Sequence, residues 1–172
     1  MSLSIVFARF TRPIAQIVFS RCALIAPYRG GRAFMFRIVN SKTNELVELR
    51  ATLMLAKRKI GLDGERDYVR LKLERESVVF FPLTWTIVHP IDEQSPLWGL
   101  DEQKLSSSDA EFLILLNGFD ETYSQNVHTR SSYKAGEVVW GAKFTSIFNP
   151  PREDGTLSVD IRKLHDYERV AL

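Results

Sequence analysis

The stretch that decides the fold is residues 47–55, which read Val47-Glu48-Leu49-Arg50-Ala51-Thr52-Leu53-Met54-Leu55. This stretch places an apolar side chain at every second position. Successive side chains of a β-strand point to opposite faces of its sheet. One face of this segment carries Val47, Leu49, Ala51, Leu53 and Leu55. The opposite face carries Glu48, Arg50 and Thr52. The pattern predicts a strand with one buried face and one solvent-facing face.

Other segments extend this pattern into an all-β fold. Period-two alternation returns at residues 69–73 and 157–161. Further strand candidates, which contain β-branched and aromatic residues, are residues 34–39, 85–88, 112–116 and 138–147. Turn signals separate them, at Gly30-Gly31, Asp63-Gly64, Ala135-Gly136 and Asp154-Gly155. Short strands at this spacing predict an immunoglobulin-like antiparallel β-sandwich.

Helices are expected to be short. One helical turn is predicted at residues 100–105, where Asp101 can cap the first turn and Leu100 and Leu105 can pack inward.

The composition fits one globular domain. The chain has 172 residues, of which 45% are hydrophobic and 26% are charged, enough to bury a core of its own. The longest apolar run, residues 112–116, is far shorter than the roughly 20 residues of a membrane helix, so we expect a soluble piece. A single cysteine, Cys22, excludes an internal disulfide.

Positive charge is concentrated at the amino-terminal end. Residues 1–44 hold seven basic side chains and no acidic one, although the whole chain carries a net charge of only +2. An anionic membrane surface attracts each nearby basic side chain by about 1 kcal/mol. The first residues are therefore suited to lie against lipid headgroups, whereas we expect Arg21, Arg29, Arg32 and Arg37 to lie on solvated strand faces.

The residues give little support to an enzyme. His89, His128 and His165 are far apart and form no metal-ligand motif, and no serine lies in a Gly-x-Ser-x-Gly elbow. Each histidine is expected to be a surface or packing residue. No catalytic residue, metal site, organic cofactor or nucleic-acid partner is predicted.

Four motifs occur in a recognisable order. Residues 89–98 read His-Pro-Ile-Asp-Glu-Gln-Ser-Pro-Leu-Trp, residues 118–122 read Gly-Phe-Asp-Glu-Thr, residues 130–133 read Arg-Ser-Ser-Tyr, and Trp140-Gly141 follows. In this order and spacing they resemble the C-terminal cytoplasmic domain of inward rectifier potassium channels. The resemblance covers residues 7–167 and also implies an immunoglobulin-like β-sandwich. Within the first motif, Asp92 is expected to accept from turn amides, and Leu97 and Trp98 to anchor the turn.

The resemblance implies a role in potassium transport by a homotetramer in the cell membrane. It places Glu48 and Glu121 in rings of acidic side chains that line the cytoplasmic pore, and Thr122, Tyr123, Ser124 and Gln125 in the loop that narrows it. Potassium ions would permeate, and magnesium or polyamines would block the pore in a voltage-dependent way. Arg130 is suited to tie a loop to a nearby carboxylate or carbonyl.

The same resemblance divides the chain into two parts. Residues 1–13 would be the cloned start and the linker after a membrane helix, and residues 14–172 the cytoplasmic domain. Arg9 and Arg12 would face anionic lipid headgroups of the phosphoinositide type, which guanidinium groups bind in bidentate fashion.

Departures from the animal pattern favour a prokaryotic-type member. Ile14-Ala15 stands where animal members carry further basic residues, the connection at residues 73–80 is short, and Ser124-Gln125 replaces Gly-Met. The alternative from another class is a soluble immunoglobulin-like module that binds a protein partner. That alternative predicts a monomer in which Glu48 and Glu121 are not related by symmetry.

Overall fold

The computed structural model describes residues 17–42, 45–59, 61 and 64–172, which form two β-sheets packed face to face. The first sheet contains β1 (Ile17–Phe19), β2 (Ala23–Tyr28), β3 (Gly31–Asn40), β7 (Thr84–Ile91) and β10 (Val138–Trp140). The second contains β4 (Leu46–Arg58), β5 (Arg66–Leu71), β6 (Ser77–Phe80), β8 (Glu111–Asp120) and β9 (Gln125–Lys134). A small ribbon pairs β11 (Ala142–Phe144) with β12 (Tyr167–Arg169).

β3 and the β4–β8 pair organise the two sheets. β3 pairs antiparallel with β1, β2 and β7, and β4 pairs antiparallel with β8 on one side and with β5 and β6 on the other. Phe34 of β3 stacks on Phe112 of β8 with ring centroids 4.0 Å apart. The predicted all-β sandwich is confirmed, with one departure from antiparallel pairing: β10 runs parallel to β2.

The predicted helical turn is confirmed as α1 (Glu102–Ser107). The Asp101 carboxylate accepts a hydrogen bond from the Lys104 amide at 2.8 Å, which satisfies an amide that the first turn leaves unpaired. Leu105 packs inward and is 1% exposed. Among the residues that the structure describes, no helix has the length and apolar character needed to cross a bilayer.

The strand predicted at residues 157–161 is wrong. Val159 forms only an isolated bridge with Phe148, and Leu157 is exposed. The Asp160 carboxylate accepts from the Arg162 amide at 3.0 Å and begins a 3₁₀ helix, Ile161–Lys163. This local hydrogen bond from a side chain to the backbone competes with the pairing of the segment as a β-strand. It outweighs the weak alternation of apolar and polar residues at positions 157–161.

The expectation that Arg37 is solvated is also wrong, because its side chain is only 3% exposed. Its guanidinium donates to the carbonyls of Thr145 at 2.6 Å, Lys163 at 2.8 Å and Leu164 at 2.9 Å, and lies 4.6 Å from the Phe144 ring centroid. Burial lowers the pKa of Arg37. These bonds fasten the carboxyl-terminal segment to β3.

Candidate functional site

Glu48 lies on a β-bulge near the start of β4. The β4–β8 register shifts between Val47 and Arg50, and Glu48 has φ +51°, a left-handed conformation that is uncommon outside glycine, asparagine and aspartate. The extra residue breaks the alternation, so Leu46 and Leu49 are both buried while Glu48 is exposed. Glu48 therefore points outward as predicted, but Val47 is only half-buried and does not belong to the core face.

Gly118 of β8 makes room for this bulge. A Cβ atom at this position would lie 3.0 Å from Leu49 Cδ1 and 3.5 Å from the Val47 carbonyl oxygen. Since Leu49 is fully buried, it has little freedom to withdraw. A residue without a side chain opposite the bulge is what lets β4 protrude here.

Glu121 begins the tight turn between β8 and β9. Its amide donates to the Glu45 carbonyl at 3.0 Å, and its side chain is exposed. The turn is organised by Asp120, whose fully buried carboxylate accepts from the amides of Thr122 at 2.9 Å and Tyr123 at 3.3 Å. Sequence reasoning missed Asp120, although an aspartate that bonds the amide two residues on is a known turn signal.

The predicted constriction loop is shorter than expected. Thr122, Tyr123 and Ser124 form the turn, and Ser124 closes it with φ +50°. Gln125 is the first residue of β9 and pairs with Asp120. The hairpin ladder therefore begins immediately after Ser124, and Gln125 lies at the end of the strand next to the turn.

The structure brings Glu48 and Glu121 to the same end of the second sheet. Leu46 pairs with Asp120 and Val47 with Phe119. Glu48 is the residue after Val47 on β4, and Glu121 is the residue after Asp120, where β8 ends. Both side chains are exposed. Exposed carboxylates at one end of a sheet create a negative potential that raises the local concentration of cations. This acidic end, defined by Glu48 and Glu121, is the candidate functional site.

Basic side chains extend the charged surface along the same sheet. Arg50 follows Glu48 on the solvent-facing side of β4 and lies 3.9 Å from Glu76. Arg70 of β5 lies 3.7 Å from the other oxygen of that carboxylate. Glu76 thus bridges two arginines beside the acidic end. The alternation of residues 47–55 had already placed Arg50 on the face of Glu48, and that signal indicates a mixed rather than purely acidic surface.

His89 is a packing residue rather than a catalytic base. Its Nδ1 lies 2.5 Å from the Lys72 carbonyl oxygen and its Nε2 lies 2.6 Å from Ser95 Oγ, and burial lowers the pKa of His89. The ring is therefore neutral, with Nδ1 donating to the carbonyl and Nε2 accepting from the hydroxyl. Ser95 Oγ also accepts from the Leu97 amide at 3.1 Å. Among the described residues, the two ring nitrogens contact a carbonyl and a hydroxyl oxygen and neither contacts a carboxylate.

The motif at residues 89–98 is a structural turn, as predicted. The Asp92 carboxylate accepts from the Gln94 amide at 3.0 Å, and the Trp98 amide donates to the Ser95 carbonyl at 2.9 Å. Leu97 is buried, as predicted for an apolar anchor, but Trp98 is 55% exposed and does not anchor the turn. The motif builds the fold without adding a reactive group.

Two further predictions have different outcomes. Arg130 is exposed, and among the described residues its guanidinium makes none of the expected bonds to a carboxylate or carbonyl. Arg9 and Arg12, the predicted lipid-headgroup residues, lie outside the described residues together with the rest of residues 1–13.

A protein-family model and known relatives match nearly the whole chain. The model of the inward rectifier potassium channel C-terminal domain matches residues 17–172. The inward rectifier potassium channel Kirbac3.1 of Paramagnetospirillum magnetotacticum is 35% identical over 168 residues, which cover 96% of this chain and 57% of that protein.

Mammalian relatives match over a similar part of the chain. ATP-sensitive inward rectifier potassium channel 8 of Mus musculus is 30% identical over 170 residues, or 95% of this chain and 40% of that protein. Inward rectifier potassium channel 4 of Mesocricetus auratus is 30% identical over 177 residues, or 96% of this chain and 39% of that protein. The chain thus spans between about two fifths and three fifths of the length of these relatives.

Proposed function

The chain belongs to the inward rectifier potassium channel family as a C-terminal domain of the prokaryotic type, and from this premise we propose that it extends the ion pathway of a homotetrameric potassium channel on the cytoplasmic side of the membrane. The domain is an ion-channel domain rather than an enzyme. The relatives' names describe inward rectifiers, and none of these names describes a voltage-gated channel.

The acidic end is the observation that carries this proposal. Glu48 is held outward on a bulge, and Glu121 is exposed at the same end of the sheet. A fourfold axis beside this end would turn each glutamate into a ring of four carboxylates, which concentrates potassium ions and repels anions. Magnesium or polyamines attracted to the same rings would block outward current. The Arg50–Glu76–Arg70 cluster would moderate this field.

The remaining parts of the proposal concern gating. The turn of Thr122, Tyr123 and Ser124, with Gln125, would narrow the pathway next to the Glu121 ring. Arg9 and Arg12 would contact anionic phosphoinositide-type headgroups, because a guanidinium fork matches phosphate oxygens. Lipid binding would bias opening only by its difference in affinity between the open and closed states.

The test is a chimera in which this chain replaces the C-terminal domain of the Paramagnetospirillum relative. Potassium flux into lipid vesicles and its block by magnesium or spermine are measured for the parent chimera and for a Glu48→Gln, Glu121→Gln double variant. We expect the double variant to conduct with weaker block, since two rings have lost their charge. A Glu93→Gln variant, which neutralises an exposed glutamate in the 89–98 turn, is the matched control and should keep the parent block.

Unchanged block in the double variant would count against the acidic rings. A chimera that carries no flux although it folds and reaches the membrane would count against the channel role of the domain. The rival, a monomeric immunoglobulin-like binding module, predicts that neutralising Glu48 and Glu121 leaves cation binding unaltered.

A further inference from the structure

A cavity of about 490 Å³ opens at the end of the first sheet where β3 begins and β7 ends. Arg32 of β3 and Ile91 of β7 pair at this end, and both line the cavity. Residues 97–101, which directly precede α1, complete its wall together with Gly31 and with Trp140 of β10. We call this space the β3–β7 cavity. Its volume falls in the range of small-molecule sites, about 300–1,000 Å³.

Two tryptophan side chains contribute to the wall of the β3–β7 cavity. Trp98 is 55% exposed, and turn hydrogen bonds hold the backbone on either side of it. The Trp98 amide donates to the Ser95 carbonyl at 2.9 Å, and the Leu100 amide donates to the Leu97 carbonyl at 3.1 Å. Trp140 lies at the end of β10, which pairs with β2. An aromatic ring presented by an ordered backbone loses little conformational freedom on binding, so Trp98 is suited to contact a ligand.

The indole N–H of Trp140 has no hydrogen-bond acceptor in the part of the chain that the structure describes, although its nitrogen is buried. Buried polar groups are almost always paired, because an unpaired group loses its bonds to water without replacement. Trp140 lines the β3–β7 cavity. A ligand with an acceptor oxygen would supply the missing partner once the ring turns its nitrogen toward the cavity. This donor favours a ligand that carries a carboxylate or carbonyl oxygen.

One basic and one acidic side chain line the β3–β7 cavity, namely Arg32 and Asp101. Both residues are exposed, and across the described ranges neither forms a salt bridge with the other or with a third residue. A dication would meet Arg32 as a like charge, and a dianion would meet Asp101 as one. A ligand with one positive and one negative group would instead form a charge-assisted hydrogen bond with each side chain.

We propose that the β3–β7 cavity is a binding site for a free α-amino acid with an aromatic or large apolar side chain. The Arg32 guanidinium binds the carboxylate, the Asp101 carboxylate binds the ammonium group, and the ligand's side chain packs against the Trp98 ring. A carboxylate oxygen of the ligand also accepts from the Trp140 N–H. No residue of the acidic end lines this cavity, so the site does not depend on the proposed ion pathway.

NMR of the tryptophan indole groups tests this site on the 172-residue chain. The chain has three tryptophans, and replacing each in turn by phenylalanine assigns its indole N–H signal. L-Phenylalanine, which has no indole group, is titrated to about 50 mM, because so small a ligand is expected to bind with a Kd of about 1 mM. We expect the signals of Trp98 and Trp140 to move with one shared Kd, and the Trp140 proton to move downfield as it gains an acceptor. The signal of Trp85, a buried core residue that does not line the cavity, should stay in place.

Two charge-neutralising variants test the orientation of the ligand. Arg32→Gln should weaken binding of L-phenylalanine about tenfold and leave binding of phenethylamine, which has no carboxylate, unchanged. Asp101→Asn should weaken binding of L-phenylalanine about tenfold and leave binding of 3-phenylpropionate, which has no ammonium group, unchanged. Asparagine is also a good N-cap, so α1 is retained. Arg29→Gln and Glu102→Gln are the matched controls, since both residues are exposed and do not line the cavity.

Indole signals of Trp98 and Trp140 that stay in place throughout the titration would overturn the inference. Equal affinities for L-phenylalanine and 3-phenylpropionate would also overturn it and would assign the cavity to apolar anions. A Kd that neither Arg32→Gln nor Asp101→Asn changes would overturn it as well. The proposed function would stand in each case, because the flux of the chimera is measured without any amino acid.

Discussion

Replacing Glu48 by glycine should stabilise the fold while removing a charge from the acidic end. A non-glycine residue in the left-handed conformation, here at φ +51°, costs about 1–2 kcal/mol. Glycine removes that cost but gives the unfolded chain extra freedom worth about 0.4–1 kcal/mol. The Glu48 side chain is exposed, so little packing is lost. Glu48→Gly should therefore raise the free energy of unfolding by about 0.5–1 kcal/mol.

Urea unfolding followed by tryptophan fluorescence measures this change. Arg50→Gly is the matched control: Arg50 is exposed on the same strand without a positive φ, and glycine there should lower the free energy of unfolding by about 0.5–1 kcal/mol. A gain in the free energy of unfolding at position 48 together with a loss at position 50 would show that the backbone of Glu48 is strained. The charge of Glu48, and not the stability of the fold, would then explain why a glutamate occupies this position. Equal destabilisation by both variants would refute this reasoning.

Three further predictions concern the residues that hold the site in place. Arg37→Met should lower the free energy of unfolding by about 3–5 kcal/mol in urea titrations, because buried carbonyls lose their donor. Arg32→Met, at an exposed position, should change it by less than about 0.5 kcal/mol. Similar effects of the two variants would contradict a stabilising role for the buried hydrogen bonds of Arg37. Gly118→Ala should cost about 1–2 kcal/mol, since its Cβ would press on buried Leu49, and a stabilised variant would count against tight packing under the bulge. Because burial lowers the pKa of His89, its contribution to stability is complete above the unfolded pKa of about 6.5 and declines as the pH falls below it. His89→Asn should flatten that decline between pH 7 and pH 5, and an unaltered slope would mean that another group dominates it.

Local sequence patterns predicted the strands and the helix that carry a clear local signal, such as a run of apolar residues or a helix cap. β3 and β8 are rich in apolar residues, and both contribute fully buried side chains such as Phe34, Ile38 and Phe112 to the core. The α1 helix was predictable because Asp101 supplies a cap and Leu105 a single inward apolar side chain. β9 was missed because most of its residues are polar, and Val127 and Tyr133 are its only fully buried side chains.

Long-range contacts explain the failures. Arg37 looks like any strand-face arginine, and its burial depends on carbonyls more than 100 positions away. The bulge at Glu48 arises from pairing with β8 and from Gly118, neither of which is visible in residues 47–55. The alternation correctly placed Glu48 outward, but it could not show that Val47 leaves the core face.

Pair distances between spin labels at position 48 test the central claim, that this residue lines a fourfold axis. The label is attached to Glu48→Cys in a Cys22→Ser background of the channel chimera in lipid vesicles, with Glu93→Cys as the control position. A fourfold ring predicts two distances, between adjacent and between diagonal subunits, in a ratio of about 1.4. The distances at position 48 should be shorter than those at position 93. Distances at position 48 that are longer than at position 93, or that lack the fourfold ratio, would contradict the claim.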